Sequence, residues 1–365
     1  MKQHLSHLYL RIGCLIQNDI EGTMSRPTIR DLANEAGVSV ATVNRVLAGS
    51  STVKPGTMQR VKDAARNIGF YGTGAIEGRI AAARPRFRFG FVLHQPSRAF
   101  YRNLGNAIEA ASERVDGAVV SVEVAYIETL SPQNIAAKML ELAEHCDAIG
   151  VVAQVHPTIM QAVEAIEQMG KPVFALISQL ATTGRVPYVG CDGWKIGRTA
   201  GWAFDHICKE RGKLGILIGN PRYRCQEMNE SGFRSYFREH ATDFTLLEPL
   251  MTFESTAVAQ EMTEKLIHEN PDLKGLYVAG GGISGAIAGL RASGMAGKVV
   301  LVGYELMDST REALLDGTMT FAIGHPLPKL ADVTLDGMMR AASGKIESSN
   351  HTTVLPFEIF TCENI

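Results

Sequence analysis

The sequence of 365 residues predicts a small all-α head followed by a two-lobed α/β body of doubly wound parallel sheets. Two observations lead to this fold class. Short amphipathic helices are predicted between residues 28 and 71, and apolar strands alternate with amphipathic helices from Phe87 onward. The expected divisions are a disordered N-terminal extension at 1–27, a helical domain at 28–71, a linker at 72–86 and the body at 87–365.

The first helix of the head is predicted to begin after Thr28. Asp31, three residues later, completes a capping-box-like pair with Thr28, and Gly37 supplies the positive φ at which the helix ends. Apolar residues at helical spacing form its buried face, namely Ile29, Leu32, Ala33 and Ala36.

A second helix is predicted to begin after Ser39 and to bury Val43, Val46 and Leu47. A third follows Pro55, ends at Gly69, and buries the stripe Met58, Val61, Ala65 and Ile68. The residues of the second helix that are left pointing outward are Val40, Ala41, Asn44 and Arg45. Because a helix-turn-helix presents the start of its second helix to base edges, these residues indicate DNA binding.

The charge distribution agrees with a nucleic-acid-binding head. Residues 24–90 contain 11 Lys and Arg against 4 Asp and Glu, a balance of +7, whereas residues 91–365 contain 23 against 32, a balance of −9. The net charge of −2 therefore combines a basic head with an acidic body. A local positive field favours contact with phosphates.

Other compositional features favour a cytoplasmic protein. The six cysteines are scattered without CxxC pairs, which indicates reduced thiols. No apolar run is long enough to span a membrane, and Arg11 interrupts the apolar stretch near the N-terminus. GxxxxGK, HExxH and GxSxG motifs are absent, so the sequence predicts no catalytic residues, metal or cofactor and does not indicate an enzyme.

About ten short strands are predicted in the body, more than one sheet holds comfortably, so two lobes with a cleft at the strands' carboxyl ends are expected. The first lobe is predicted to comprise about 87–185 and 322–354. The second lobe would then comprise about 186–321 and 355–365.

The segment Ile29-RDLANEAGVSVATVNRVL47 resembles the helix-turn-helix of lactose-repressor-family transcription regulators, and the resemblance extends from Thr28 to about Leu355. It implies that Val40, Ala41 and Arg45 read bases and that Thr42 contacts a phosphate. Asn44 stands where the family usually has serine. The expected DNA-binding residues are Thr28, Ser39, Val40, Ala41, Thr42, Asn44, Arg45 and Ile80.

The linker departs from the family pattern, in which a hinge helix inserts a leucine into the minor groove. Ile80 is the nearest candidate for such a wedge and Ile76 the second. Glycines at 72, 74 and 78 disfavour a helix that forms only on binding, and a flexible tether is the alternative interpretation.

The body resembles ribose-binding proteins, and this resemblance implies an effector site at the strand ends. The expected effector-binding residues are Phe100, Tyr101, Asp192, Arg224, Glu227, Glu305 and His325. Aromatic rings would stack on a sugar face, and polar groups would bind its hydroxyls. Asn229 replaces a usual arginine, and Gly280–Gly282 replaces a usual Asn-Asp step.

Each of these residues also has an ordinary structural interpretation. An acid at a strand end often only caps a helix, a histidine is often a structural hydrogen-bonding group, and Phe100 and Tyr101 could be core residues. Gly280–Gly285 matches GxGxxG after a strand, which leaves a nucleotide-responsive regulator of NAD type as an alternative. A free-standing solute-binding protein is a third interpretation, opposed by the helix-turn-helix.

We therefore expect a cytoplasmic, homodimeric transcription regulator, most simply a repressor. Its expected partners are a palindromic double-stranded DNA operator and a small carbohydrate or polyol effector, with no membrane association.

Overall fold

The computed structural model describes residues 26–50, 52–82, 84–180, 186–240, 243–344 and 352–365. The chain divides into two compact units, Met1–Pro85 and Arg86–Ile365. The expected N-terminal extension lies outside the described residues up to position 25. We refer to the first unit as the head and to the second as the body.

The head contains the helices α1 (Ile29–Glu35), α2 (Val40–Ala48), α3 (Pro55–Asn67) and α4 (Thr73–Ala82). The predicted capping box is confirmed: the Thr28 hydroxyl accepts from the Asp31 amide at 3.3 Å, and Asp31 Oδ2 accepts from the Thr28 amide at 2.8 Å. Ser39 caps α2 by accepting from the Thr42 amide at 3.2 Å. Gly37 has the predicted positive φ of 62°, so it can turn the chain between α1 and α2.

Helix α4 corrects the prediction for the linker. Glycines at 72, 74 and 78 were expected to disfavour a helix that forms only on binding, with a flexible tether as the alternative, and residues 73–82 are helical in this structure. Ile76 is fully buried in the head core, and Arg66 on α3 forms an ion pair with Glu77 at 2.6 Å. Burial of Ile76 offsets the low helix propensity of glycine, because packing of an apolar face outweighs propensity. The second candidate wedge is therefore a core residue; the Ile80 side chain lies outside the described part of the chain.

The predicted head core is confirmed in its main members. Helices α1, α2 and α3 meet around a core that includes Leu32, Ala33, Val43, Val46, Val61 and Ala65. The remaining predicted apolar residues, Ile29, Leu47, Met58 and Ile68, pack against it while partly buried. The head thus buries one apolar cluster and leaves the outer face of α2 free.

The body alternates strands and helices, as predicted. Its strands are β1 (Arg86–His94), β2 (Val119–Ile127), β3 (Ala148–Val151), β4 (Val173–Leu176), β5 (Tyr188–Cys191), β6 (Lys213–Ile218), β7 (Thr245–Leu246), β8 (Leu250–Met251), β9 (Leu273–Val278), β10 (Val300–Tyr304), β11 (Phe321–Gly324), β12 (Thr352–Leu355) and β13 (Glu358–Phe360). Its helices are α5 (Ala99–Glu113), α6 (Pro132–Ala143), α7 (Pro157–Gln168), α8 (Gly193–Ile207), α9 (Arg224–His240), α10 (Thr256–Glu269), α11 (Ile283–Ala292), α12 (Asp308–Leu315) and α13 (Leu327–Ala342).

The first lobe is built on a parallel sheet of order β12-β5-β4-β3-β1-β2. Along β1, Phe89, Phe91 and Leu93 face the core shared with α5 and α13. Val92 faces the opposite side, in the core under α6 and α7. Both faces are covered, which explains why the end of β1 is a continuous apolar run rather than an alternating one.

The second lobe is built on a sheet of order β13-β11-β10-β9-β6-β7, with β8 also paired to β6. All its strands run parallel except β13, which pairs antiparallel with β11. Helices α8 and α9 pack together on one face, and α10 and α11 pack together on the other. No helix in the described part of the chain is long and apolar enough to cross a membrane.

The two predicted lobe boundaries need correction. Strand β5 was assigned to the second lobe but pairs with β4 and β12 in the first. Strand β11 was assigned largely to the first lobe but pairs with β10 in the second. The chain changes lobes only after each of these strands has joined its sheet, at Asp192 and at His325, because a parallel strand must complete its pairing before the chain can turn at its carboxyl end.

Candidate functional site

The outer face of α2 is exposed in the head. Val40, Ala41, Asn44 and Arg45 all point away from the head core, and Val40 is 41% exposed although it is apolar. Ser39 and Thr42 lie at the start of the same helix, where their hydroxyl oxygens are 2.9 Å apart. The predicted residues of α2 thus lie along one exposed side of the helix, from its cap at Ser39 to Arg45 in its last turn.

Residues that the sequence analysis did not single out extend this surface. Thr28 and Val40 border a shallow groove that is also lined by Arg26, Arg30 and Tyr71. Tyr71 is 73% exposed, an unusual position for a large aromatic side chain. In the sequence, Tyr71 could be recognised only as an aromatic residue that follows the third helix and belongs to none of the predicted buried faces.

A cavity of about 360 Å³ lies between the two lobes of the body. Four of the seven predicted effector residues line it: Phe100, Tyr101, Glu305 and His325. They come from the start of α5 and from the segments that follow β10 and β11. The carboxyl ends of the strands therefore converge on this cavity, as expected for a doubly wound body.

Glu305 and His325 form a buried pair. His325 Nδ1 lies 2.5 Å from Glu305 Oε1, and the His325 amide donates to Oε2 at 3.2 Å. Both residues belong to the second lobe, whereas the predicted lobe boundary placed His325 in the first lobe. Glu305 has a φ of 66°, which is costly for a residue other than glycine and is typical of functional sites.

The other three predicted effector residues do not line the cavity. Asp192 caps α8 by accepting from the Lys195 amide at 3.1 Å. Arg224 and Glu227 form an exposed ion pair with each other at 3.3 Å. On α9 it is Cys225, Gln226 and Asn229 that border the cavity, together with Tyr223 just before it. A shift of one residue turns a helical side chain by about 100°, so Arg224 and Glu227 face elsewhere.

Asn229 carries a buried polar atom without a partner. Its Nδ2 donates to the Ala279 carbonyl at 3.0 Å, while Oδ1 has no hydrogen bond and the residue is only 4% exposed. An unpaired buried acceptor costs about 1–3 kcal/mol. Because Asn229 borders the cavity, a donor on a bound molecule would satisfy it.

An ion pair that the sequence analysis missed links the two lobes across the cavity. Arg98, just before α5, donates to Glu254 Oε2 at 2.5 Å, and the two side chains are 24% and 7% exposed. Glu254 Oε1 accepts from Gln226 Nε2 at 2.6 Å. Burial lowers the pKa of Arg98, but the facing Glu254 carboxylate raises it, and the net result is a raised pKa.

Further contacts join the lobes beside this ion pair. Tyr223 Oη lies 3.2 Å from His94 Nε2, Asn220 donates to Gln154 at 3.2 Å, and the Val155 amide donates to the Arg222 carbonyl at 2.9 Å. Burial lowers the pKa of His94 to about 4, so this ring is neutral at ordinary pH. The two lobes are therefore in direct contact around Tyr223 and Asn220.

The glycine-rich loop after β9 is explained by packing. A Cβ at Gly280 would overlap Gln226 Oε1, and one at Gly281 would overlap Glu254 Oε2. Gly282 has a φ of 115°, and a Cβ at Gly285 would overlap the Thr256 carbonyl on α10. The GxGxxG match thus follows from close approach of neighbouring side chains and helices.

Two cysteines, Cys191 and Cys225, line the cavity. Burial raises the pKa of Cys191 and of Cys225 to about 12, which keeps both cavity thiols neutral.

Among the described residues, Glu123, His145 and Cys146 bring metal-ligating atoms within 4.8 Å of one another. Arg88 pairs with Glu123 at 2.7 Å, and burial raises the pKa of Cys146 to about 11, so the carboxylate is already engaged and the buried thiol is neutral.

Comparisons with known proteins match the two units separately. Residues 28–72 match the model of bacterial regulatory proteins of the lacI family, and residues 89–346 match the periplasmic binding protein domain. The chain is 35% identical over 82 residues to catabolite control protein A of Priestia megaterium, a stretch covering 22% of this chain and 24% of that protein.

The body has its own relatives. Over 181 residues, 48% of this chain and 56% of the relative, it is 25% identical to a D-ribose/D-allose-binding protein of Pseudomonas aeruginosa. The chain thus matches about a quarter and just over half of the length of these two relatives. A solute-binding protein from Agrobacterium vitis, bound with α-D-tagatopyranose, has the same fold with a TM-score of 0.70 and 18% identity, covering 76% of this chain and 95% of that one.

These similarities give no support to a nucleotide-responsive regulator. The described residues explain the glycine loop, and the matches to regulatory and binding proteins account for both units. The chain belongs to the periplasmic binding protein domain family through its body, and its head is similar to the lacI family of bacterial regulatory proteins.

Proposed function

We propose that this protein is a sequence-specific DNA-binding transcription regulator whose affinity for its operator is controlled by a small carbohydrate or polyol. The observation that carries the proposal is the combination, in one chain, of an exposed helix-turn-helix surface with a cavity at the strand ends of a two-lobed body. The first element can read DNA, and the second can hold a small molecule.

On the head, Arg45 is the residue best suited to sequence reading. Its guanidinium can donate two hydrogen bonds to guanine O6 and N7, whereas Val40 and Ala41 offer apolar contact to a thymine methyl group. Thr28, Ser39, Thr42 and Asn44 are assigned contacts at the edge of this surface, to phosphates or to neighbouring bases. Ile80 is assigned to the minor groove because an apolar residue flanked by arginines suits a widened, kinked groove.

In the body, the cavity matches a ligand rich in hydroxyl groups. Asn229 Oδ1 and the Glu305 carboxylate are acceptors for hydroxyl protons, and Phe100 supplies an apolar face on which a sugar ring can stack. Asp192, Arg224 and Glu227 are not retained as ligand contacts because their side chains are engaged elsewhere. The printed name of the ribose- and allose-binding relative supports the same ligand class.

Regulation would couple these two sites. A molecule bound between the lobes favours their closed arrangement, and by thermodynamic linkage DNA must change the affinity for that molecule by the same factor. We further propose that the protein works in the cytoplasm as a homodimeric repressor, since two copies related by two-fold symmetry match two half-sites of a palindromic operator.

The test begins with DNA and then adds ligand. Duplexes selected by the purified protein from a random library should converge on a two-fold symmetric sequence, and a panel of monosaccharides and polyols should contain a compound that shifts the binding midpoint on that duplex. Absence of any enriched sequence would contradict sequence-specific binding. Enrichment without any response to the panel would retain DNA binding and contradict control by a carbohydrate.

A further inference from the structure

The ion pair between Arg98 and Glu254 bears on the chemical class of the effector, an inference that rests on the proposed function. An arginine at the wall of a sugar-sized cavity is well suited to hold a carboxylate, because its fork of N–H groups matches the two oxygens. Here a carboxylate of the chain itself already occupies this arginine: Glu254 Oε2 lies 2.5 Å from Arg98 Nη1. Arg98 also lies over the ring of Tyr101, with 5.8 Å between its Cζ and the ring centroid.

Glu254 is held in this position from several sides. Gln226 Nε2 donates to Glu254 Oε1 at 2.6 Å. The side-chain oxygen of Gln226, Oε1, in turn accepts from the backbone amides of Gly219 and Asn220 at 2.7 and 3.0 Å. The backbone at Glu254 has a φ of 60°, an uncommon conformation for a non-glycine residue. Space for the carboxylate comes from Gly219 and Gly281, where a Cβ would overlap its oxygens.

The charges around the cavity make an anionic ligand unfavourable. Arg98 is the single lysine or arginine among the described residues that line the cavity, and its charge is matched by Glu254. The second lining carboxylate, Glu305, is hydrogen-bonded by His325. A ligand carboxylate would therefore face two carboxylates and compete with Glu254 for the same guanidinium, among partly buried side chains where the lower dielectric strengthens the repulsion.

We propose that Glu254 is a specificity-determining residue that fills the carboxylate position beside Arg98, so that the cavity accepts uncharged sugars or polyols and rejects sugar acids. Removing the Glu254 charge would leave a buried guanidinium without its partner. A uronate or aldonate could then restore the lost pairing by placing its own carboxylate at that position.

The experiment compares the full-length wild type with Glu254→Gln by calorimetry and by thermal unfolding. The probes are aldoses and polyols, each paired with its uronic or aldonic acid. The wild type is expected to bind at least one neutral compound and none of the acids. Glu254→Gln is expected to gain about tenfold or more in affinity for at least one acid, with a matching rise in melting temperature.

Two further variants separate the site from general charge effects. Glu248→Gln removes the same charge from the second lobe at a side chain that is 90% exposed, and it should behave like the wild type. The double variant Arg98→Met with Glu254→Gln lacks the guanidinium and should lose the acid affinity gained by the single variant.

The outcomes distinguish this inference from the proposed function. Acid binding by the wild type, or neutral binding without any gain of acid binding in Glu254→Gln, overturns the role of Glu254 alone. Failure of every compound to bind either protein overturns carbohydrate control and this inference with it. If Glu254→Gln is recovered unfolded, the wild type decides, because binding of a neutral sugar with rejection of its acid supports the proposal and binding of the acid refutes it.

Discussion

Glu305 and His325 follow neighbouring strands of the second lobe and meet at the cavity wall, with His325 Nδ1 2.5 Å from Glu305 Oε1. The pairing fixes both side chains, because the His325 amide also donates to Oε2 of the same carboxylate. Glu305 adopts a positive φ to reach this position. The arrangement places a charged acceptor in a sheltered site, where a change of its charge has a strong effect on a ligand.

Glu305→Gln should weaken the effector's influence on operator binding. A neutral amide forms a weaker hydrogen bond to a ligand hydroxyl than a carboxylate does. The effector concentration at the midpoint should therefore rise roughly ten- to hundredfold, which corresponds to a loss of about 1.5–3 kcal/mol in effector binding free energy. The measurement is a DNA-binding titration with increasing effector. Glu312→Gln, at an exposed position of α12, is the matched control. An unchanged midpoint would place the ligand elsewhere, and a collapse of effector-free DNA binding would make Glu305 structural.

Arg45→Ala should reduce sequence-specific DNA binding. Loss of a bidentate contact to guanine costs about 1–3 kcal/mol, whereas non-specific binding depends on phosphate contacts and should change little. Titrations against the selected duplex and a random duplex measure the two effects. Arg238→Ala, an equal charge change on an exposed position of the body, serves as control. An equal loss on both duplexes would make Arg45 a phosphate contact.

Ile76→Ala should destabilise the head. Its side chain is fully buried, so truncation should cost about 2–5 kcal/mol of the free energy of unfolding, whereas Val40→Ala on the exposed face should cost less than about 0.5 kcal/mol. Chemical denaturation followed by circular dichroism gives both values. A stable Ile76→Ala protein with weakened DNA binding would instead support the wedge role that the sequence suggested for this residue.

His94 should make the body less stable in mild acid. Burial lowers its pKa from 6.5 to about 4, so the unfolded chain takes up a proton more readily than the folded one between these values. Stability therefore falls as the pH drops from about 6.5 to about 4, by about 3 kcal/mol in total, and changes no further through this group below that.

His94→Gln should remove that part of the pH dependence, and His206→Gln at an exposed position should leave it in place. The free energy of unfolding at pH 7 and pH 4.5 is the quantity to compare among the three proteins. Equal losses in the wild type and His94→Gln would assign the acid sensitivity to other groups.

Local patterns in the sequence predicted the head well. Caps and glycine turns are decided within a few residues, so Thr28, Ser39 and Gly37 behave as expected. Glycines made the linker seem unfavourable for a helix, and only the burial of Ile76 against other helices explains why it forms one. That burial depends on tertiary packing, which the local pattern does not contain.

The sequence predicted cavity residues near the carboxyl ends of strands: Phe100 and Tyr101 at the start of the helix that follows β1, and Glu305 and His325. Glu305 and His325 come straight after strands and could be found from that rule. Arg98 and Glu254 lie 156 positions apart and come from different lobes, so no spacing in the sequence links them. Lobe assignment failed for a similar reason, because strand order along a sheet is not sequence order.

The chain passes from one lobe to the other at Asp192, at His325–Pro326 and at Pro356–Phe357. Two of these passages contribute directly to the cavity wall, through Cys191, Gly193 and His325. A molecule in the cavity therefore contacts the segments that connect the two lobes, close to the axis about which one lobe can rotate against the other. Near such an axis, a side-chain displacement of a fraction of an ångström corresponds to a several-fold larger movement at the outer edge of a sheet, so a small ligand can produce a large displacement of a lobe.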